Sequence, residues 1–248
     1  MLRVLDLFSG IGGFSLGLER AGGFRTVAFC EIEPYCQSVL REHWPSVPVF
    51  DDVRTITAGE VGAVDVICGG FPCQDISFSG YGAGITGARS GLWREFARLI
   101  GELRPRYVIV ENVAALLARG LGDVLRDLAA VGYDAEWHCI PASAVGAPHI
   151  RDRVWIVAYP ADEQAEAGVE GIQAPGLSRE LGRVLGGMRF DWMDQPKILR
   201  VDDGLPVPVD DNEALGNAVV PQIPEIIGRA ILNYEDSRAP QSLIEGKP

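Results

Sequence analysis

The chain carries only two lysines and three histidines in 248 residues. It has no unbroken apolar run long enough for a helix to cross a bilayer, so no membrane contact is expected. Its opening, MLRVLDLFSG, lacks a basic segment leading into a longer apolar stretch and a cleavage site, and does not read as an export signal. The cysteines (Cys30, Cys36, Cys68, Cys73 and Cys139) are odd in number and include no CxxC pair. That argues against a disulfide framework and against a zinc site, so no metal is expected and a reducing cytosol fits. Positive charge is scarce overall, with a net charge of −12. An acidic chain is a poor starting point for a nucleic-acid binder, although a basic stripe can coexist with an acidic remainder. Among the basic residues arginine dominates, which suits phosphate or base contacts through a planar fork of donors; genomic composition explains the bias equally well. With 47% hydrophobic residues the chain has material for one full domain and a small appendage.

The stretch GGFPCQDIS, Gly69 to Ser77, organises the rest. The apolar run VDVICGGF, from Val64, is short, rich in β-branched residues and stopped by Gly and Pro, as in a buried strand. Cys73 then lies just past the C-terminal end of a strand, where open α/β sheets keep their chemistry. A solitary buried cysteine is commonly structural. Here a strand leads in, Pro72 fixes the backbone, and a glycine-rich loop from Gly80 to Gly91 follows, which together point to a nucleophile beside a mobile active-site loop.

The flanking units repeat the strand–turn–helix pattern. RVLDLFSG is a strand entering the glycine turn GIGG, followed by helical spacing in FSLGLERAG. Such a turn lets backbone N–H groups approach a ligand. A dinucleotide fingerprint needs a third glycine where this chain has Ser15, so a nicotinamide cofactor is disfavoured. The next strand ends at Glu31, about 20 residues beyond the turn, where Glu31 or Glu33 can accept from ribose hydroxyls. After a third short strand, Asp51 or Asp52 can accept from an adenine amino group. RPRYVIVENV is the strand that follows the cysteine unit, and Glu111 at its end would face the same crevice. DAEWHCIP and RDRVWIVAYP form a hairpin-like pair, with Arg151 and Arg153 at the start of the second strand; alternating Arg and apolar residues usually mark a solvated strand face. From Pro160 to Asp211 periodicity is lost, and a turn and apolar helix return in ALGNAVVPQIPEIIGRAILNY. The tail from about Glu235 reads as frayed.

In order, DLFSGIGG, Glu31, Asp52, GGFPCQ, ENV, RDR and GNAVVP resemble the motifs of the carbon-5 cytosine-specific DNA methyltransferases, and LRVDDGLP, Leu199 to Pro206, looks like the equivalent stretch of small phage or prophage members. The resemblance implies a Rossmann-like methyltransferase fold: a doubly wound, mostly parallel α/β sheet with a small irregular recognition lobe. Residues 1–159 and 212–234 would form the catalytic and cofactor-binding domain, 160–211 the lobe and 235–248 the tail. It implies S-adenosyl-L-methionine as methyl donor, lined by Phe8, Gly10, Gly12, Glu31, Ile32, Asp52, Leu92, Asn217 and Val219. Cys73 would be the nucleophile, Glu111 and Arg153 would hold the target base with Arg151 in support, and Gln74, Ser77 and Arg89 would belong to the substrate loop. Carbon 5 of cytosine is a poor nucleophile, and thiolate addition at carbon 6 makes it enamine-like. The methyl group is then transferred, the carbon-5 proton lost and Cys73 eliminated. A stacked base is out of reach, so it must be flipped out.

The implied substrate is cytosine within a short sequence of double-stranded DNA, the implied state a monomer in a bacterial or phage-infected cytosol, and the implied companion a cognate restriction endonuclease. The chain departs from the family in three places: His149 stands for a usual Gln, Ile76 for a usual aromatic, and the lobe is short. Its 52 residues carry eleven acids against five bases, which is awkward for phosphate contacts. A tRNA cytosine methyltransferase and a non-catalytic DNA-binding relative are therefore the alternatives.

Overall fold

The computed structural model describes residues 1–72, 91–147, 151–161 and 218–238. Seven strands form one sheet in the order β3-β2-β1-β4-β5-β7-β6. β1 (Leu2–Leu7), β2 (Phe24–Cys30), β3 (Val49–Phe50), β4 (Val66–Gly69) and β5 (Tyr107–Val113) run parallel. β7 (Asp152–Pro160) is antiparallel both to β5 and to the outermost strand β6 (Tyr133–Pro141). The expected doubly wound, mostly parallel α/β architecture is thus present, and the expected hairpin is the β6–β7 pair.

Alternation along the strands sends side chains to two cores. Leu5 and Leu7 of β1, Ile67 of β4, and Val108 and Val110 of β5 face one side. There they meet Trp93, Phe96, Leu99 and Ile100 of α4 (Leu92–Leu103) and Val124 and Leu128 of α6 (Leu121–Ala130). Between α4 and α6 lies the single turn α5 (Leu116–Arg119), ended at Gly120. The opposite face carries Leu2, Val4, Val66, Tyr107, Ile109, Trp155 and Val157. These pack on α1 (Gly13–Ala21) and on the last described helix, α7 (Gln222–Arg238), through Ile223, Ile226, Ile227 and Ile231. α2 (Pro34–His43) starts with proline at its first turn, where the missing N–H is harmless; the short α3 (Ala58–Val61) is held by a Thr57–Glu60 capping box.

α7 docks closely on α1. A Cβ at Gly17 would lie 2.1 Å from the Pro221 carbonyl oxygen, and one at Gly228 would lie 2.9 Å from Cβ of Ala21. The helix continues through Arg238, beyond the boundary expected from the sequence, because Glu235 accepts hydrogen bonds from Arg106 and from the Tyr107 hydroxyl at the start of β5. The last residues of the helix are thereby tied to the sheet.

Candidate active site

The parallel strands β1, β2, β4 and β5 all deliver their C-terminal ends to one edge of the sheet. Just beyond β1, Phe8 has φ 54°, a conformation costly for a residue with a side chain. Its ring is held against Phe96 of α4, with centroids 6.4 Å apart. Gly10 and Gly12 follow, also left-handed, at φ 53° and 86°. A Cβ on Gly10 would meet nothing within 4 Å among the described residues.

Glu31, one residue past β2, reaches across this turn. Its Oε2 accepts from the Gly10 N–H at 2.6 Å and its Oε1 from the Glu33 N–H at 2.9 Å. Of the two acids left open by the sequence, Glu31 is therefore the one at the turn, and Glu33 supplies backbone. Beside Glu31, the aliphatic side chain of Ile32 is 64% exposed, an unusual state for isoleucine. Beyond β3, Asp51 accepts from Gln37 of α2 at 3.0 Å. Asp52 is instead half-buried and is held by the Arg54 guanidinium, whose hydrogen bonds keep its carboxyl below the usual range. Leu92 begins α4 and is packed against the same core as Phe8. Val219 enters from the other side: a Cβ on Gly13 would lie 2.4 Å from the Val219 carbonyl oxygen. Phe8, Gly10, Gly12, Glu31 and Ile32 thus line one turn. Asp52, Leu92 and Val219 come from three separate parts of the chain, and of these Val219 lies against Gly13.

A second group gathers at the end of β5. Glu111 is buried, and its Oε1 lies 2.9 Å from Nε of Arg153. The antiparallel register pairs Val113 with Arg153, so Arg153 stands diagonally across from Glu111 on the same face. Burial pushes the Glu111 carboxyl above its ordinary range, and the charges of Arg153 and then Arg151 pull it back only in part. Arg151, just ahead of β7, has φ 33° and is itself depressed, first by burial and then by the Arg153 charge. The alternating Arg residues of β7 are therefore not a solvated strand face: Arg153 is committed to a buried carboxylate.

This acid also touches the segment leading to Cys73. A Cβ on Gly70 would lie 3.0 Å from Glu111 Oε2, so glycine is what lets the carboxylate sit against the chain. Asn112, buried beside it, donates from Nδ2 to the Phe71 carbonyl at 3.1 Å and accepts from the Val113 N–H at 2.8 Å. The Phe71 ring in turn packs on Trp93, with centroids 5.3 Å apart. Cys73, Gln74, Ser77, Arg89, His149 and Asn217 lie outside the described residues, as does nearly all of the proposed lobe. Three of the described cysteines are buried. Burial and then the Glu31 carboxylate push the thiols of Cys30 and Cys36 up to about 12, and burial raises Cys68 well above the ordinary value. These three are held as neutral thiols. Among the described residues no cluster of acids, histidines and cysteines is arranged to hold a metal ion.

The descriptive model of the C-5 cytosine-specific DNA methylases matches residues 2–191. The chain belongs to this family. Its curated relatives include the type II methyltransferase M2.BsuMI of Bacillus subtilis (strain 168), 37% identical over 165 residues, which covers 63% of this chain and 42% of that protein. Another is M.CviJI of Paramecium bursaria Chlorella virus IL3A, 31% identical over 203 residues, with coverage of 81% and 51%. Among solved structures, a candidate DNA modification methyltransferase encoded within an E. coli prophage superposes with a TM-score of 0.58 at 28% identity, covering 71% of this chain and 50% of that one. The S. pombe Dnmt2 methyltransferase gives 0.54 at 19% identity, covering 81% and 65%, which speaks for the fold alone. This methylase chain spans about half the length, or less, of the curated relatives that it matches (42% and 51% for the two named).

Sequence reasoning passed over Asp6. This carboxylate in the middle of β1 is fully buried, and its Oδ2 accepts from the Ser15 N–H at 3.2 Å and from the Ser15 hydroxyl at 2.7 Å. Burial pushes it up to about 7, an effect the Ser15 hydrogen bonds only partly offset. Its Oδ1 has no hydrogen-bond partner among the described residues. Ser15, the residue that breaks the dinucleotide fingerprint, is thus the cap that fixes the first turn of α1 to β1. The only signal in the sequence was an acid inside an apolar run.

Proposed function

We propose that this methylase transfers a methyl group from S-adenosyl-L-methionine to carbon 5 of cytosine in double-stranded DNA, at a short specific sequence, with Cys73 as nucleophile. The observation that carries the reading is Glu111: a buried carboxyl of raised pKa, paired with Arg153, and pressed against Gly70 three residues before Cys73. A carboxyl whose burial favours the neutral form can, when protonated, donate to ring nitrogen 3 while its other oxygen accepts from the exocyclic amine. It thereby offsets the charge that develops when Cys73 adds to carbon 6. Arg153, one Glu111 oxygen away, would contact the ring carbonyl and favour the thiolate form of Cys73. Arg151 would support both. Asn112, through Phe71, would hold the start of the segment that carries the nucleophile. Gln74, Ser77 and Arg89 would close behind a flipped-out base.

The residues of the turn fit the donor, which supplies the methyl group when bound. The space over Gly10, clear among the described residues, accommodates a ligand, the Glu31 carboxylate beside it suits ribose hydroxyls, and exposed Ile32 offers a flat base an apolar face. Asp52, Leu92, Asn217 and Val219 would complete the pocket together with Phe8 and Gly12. Residues 160–211 would read the DNA, residues 1–159 and 212–234 would do the chemistry, and a cognate endonuclease would share the target sequence. A monomer suffices for every role named.

The test is strand-resolved cytosine-methylation sequencing of plasmid DNA from a methylation-free bacterial host that expresses the chain. Methylation at one short sequence is expected, with none in a Cys73→Ser strain. Unmethylated plasmid combined with labelled methyl incorporation into tRNA would overturn the DNA assignment. Undiminished methylation by Cys73→Ser would overturn the nucleophile.

A further inference from the structure

We propose that Arg98 is a positioning residue for the nucleobase end of the donor pocket, locking the Asp52 loop to the helix that carries Leu92. The inference rests on the assignment of Asp52 and Leu92 to that pocket.

The loop between β3 and α3 has no ladder of its own, yet it must place Asp52 accurately. Val53 and Ile56 anchor it by inserting into the core. Burying those side chains also turns two backbone carbonyls inward, where they need donors. A single nitrogen supplies both: Nη2 of Arg98 donates to the Val53 and Ile56 carbonyls, each at 3.1 Å. The rest of the guanidinium is fixed beforehand on α4. Its Nε donates to Glu95 at 2.8 Å, and its Nη1 to the two oxygens of Glu102 at 3.0 and 3.1 Å. Glu95 and Glu102 lie one turn either side of Arg98, so the fork is oriented by the helix before it meets the loop.

Asp52 inherits this placement. Its own carbonyl accepts from Thr55 N–H and hydroxyl, and its carboxylate accepts from the Arg54 N–H at 2.9 Å, so its direction follows from the turn that Arg98 holds. Leu92, at the start of the same α4, moves with Arg98 as one rigid unit. Lysine cannot replace this arrangement: a compact ammonium lacks the fork needed to serve two carbonyls and two carboxylates at once.

The consequence is specific to the base. The readout is the affinity, by titration calorimetry, for S-adenosylhomocysteine and for S-inosylhomocysteine, in which an oxygen replaces the adenine amino group. Wild type should prefer the adenine form. Arg98→Ala and Arg98→Lys should each weaken S-adenosylhomocysteine by about tenfold and the inosine form far less, shrinking the preference. Arg98→Lys covers the case in which the alanine variant does not fold. Arg106→Ala, which breaks the pair with Glu235 at the other end of β5, should lower thermal stability while leaving the preference intact. Equal loss for both ligands, or none, in the Arg98 variants would overturn the positioning role and leave the pocket standing. Failure of the wild type to bind either ligand would overturn the pocket as well.

Discussion

β1 and β2 bring their C-terminal ends to the crevice, whereas β7, running against β5, brings its beginning. The two sides of the site differ accordingly. On the β1–β2 side the chain offers backbone N–H groups, glycines and one carboxylate that is already tied to the turn. On the β5–β7 side it offers charge: Glu111, Arg153 and Arg151 within reach of one another. The reversal of one strand makes the second arrangement possible. Were β7 parallel, its nine residues would carry Arg153 to the far end of the sheet, roughly 25 Å away. In the proposed assignment, the donor side is built for shape and the base side for charge.

The sharpest way to break this division is Glu111→Gln. It keeps the volume but removes the titrating oxygen, and kcat should fall by about 10²–10⁴-fold, the usual worth of a positioned acid or base. The affinity for S-adenosylhomocysteine should change far less; a parallel collapse of both would mean that the two sides are not separate. On the donor side, Glu31→Ala should weaken S-adenosylhomocysteine by about 10–100-fold, as expected for losing hydrogen bonds to a charged group. That loss should appear in KM more than in kcat, and a pure kcat defect would contradict the assignment. Gly17→Ala probes the packing beneath the donor side. A methyl group there meets the Pro221 carbonyl, so the variant should lose about 1–3 kcal/mol in urea unfolding. A neutral result would mean that α7 gives way without cost.

The smallest effect concerns Asp6. Burial pushes its carboxyl from the ordinary 3.8 up to about 7, so ionisation favours the unfolded chain. The stability associated with the protonated carboxyl is complete below about pH 4, is lost as pH rises towards 7, and changes little beyond. Asp6→Asn lacks this loss. Between pH 6 and 7 the variant should therefore gain about 1 kcal/mol relative to wild type. Paired urea titrations at the two pH values read this difference, and a constant difference would show that Asp6 is ionised in the folded protein throughout.

The strands of the parallel part and the glycine turn were legible because short β-branched runs and their Gly or Pro stops are local signals; the order of the strands in the sheet is not such a signal. Glu111 was legible by position, at the end of the strand after the cysteine unit. The Arg residues at the start of β7 resembled a solvated face, because their partner lies 42 residues earlier and pattern alone does not pair them. Arg98 was hidden for the same reason: its two carbonyl partners are 45 and 42 residues upstream. Ser15 looked like a defect in a fingerprint until the burial of Asp6 gave it a role. Strand position alone left Glu31, Glu33, Asp51 and Asp52 open, and the family resemblance singled out Glu31 and Asp52. The structure shows Glu31 at the turn and Asp51 held by α2.

The docking of α7 onto α1 also bears on how the protein is made. Among the described residues, one core draws on positions between Leu5 and Ala158, so a nascent chain can assemble these contacts once β7 has emerged from the ribosome. The other face needs Ile223 to Ile231 to cover Phe14 and Leu18. Until those residues are synthesised, α1 has no helix to pack against, and the glycine turn at its head stands on an unfinished support. Among the described elements, the proposed methyl-donor side, although encoded first, is the one completed last.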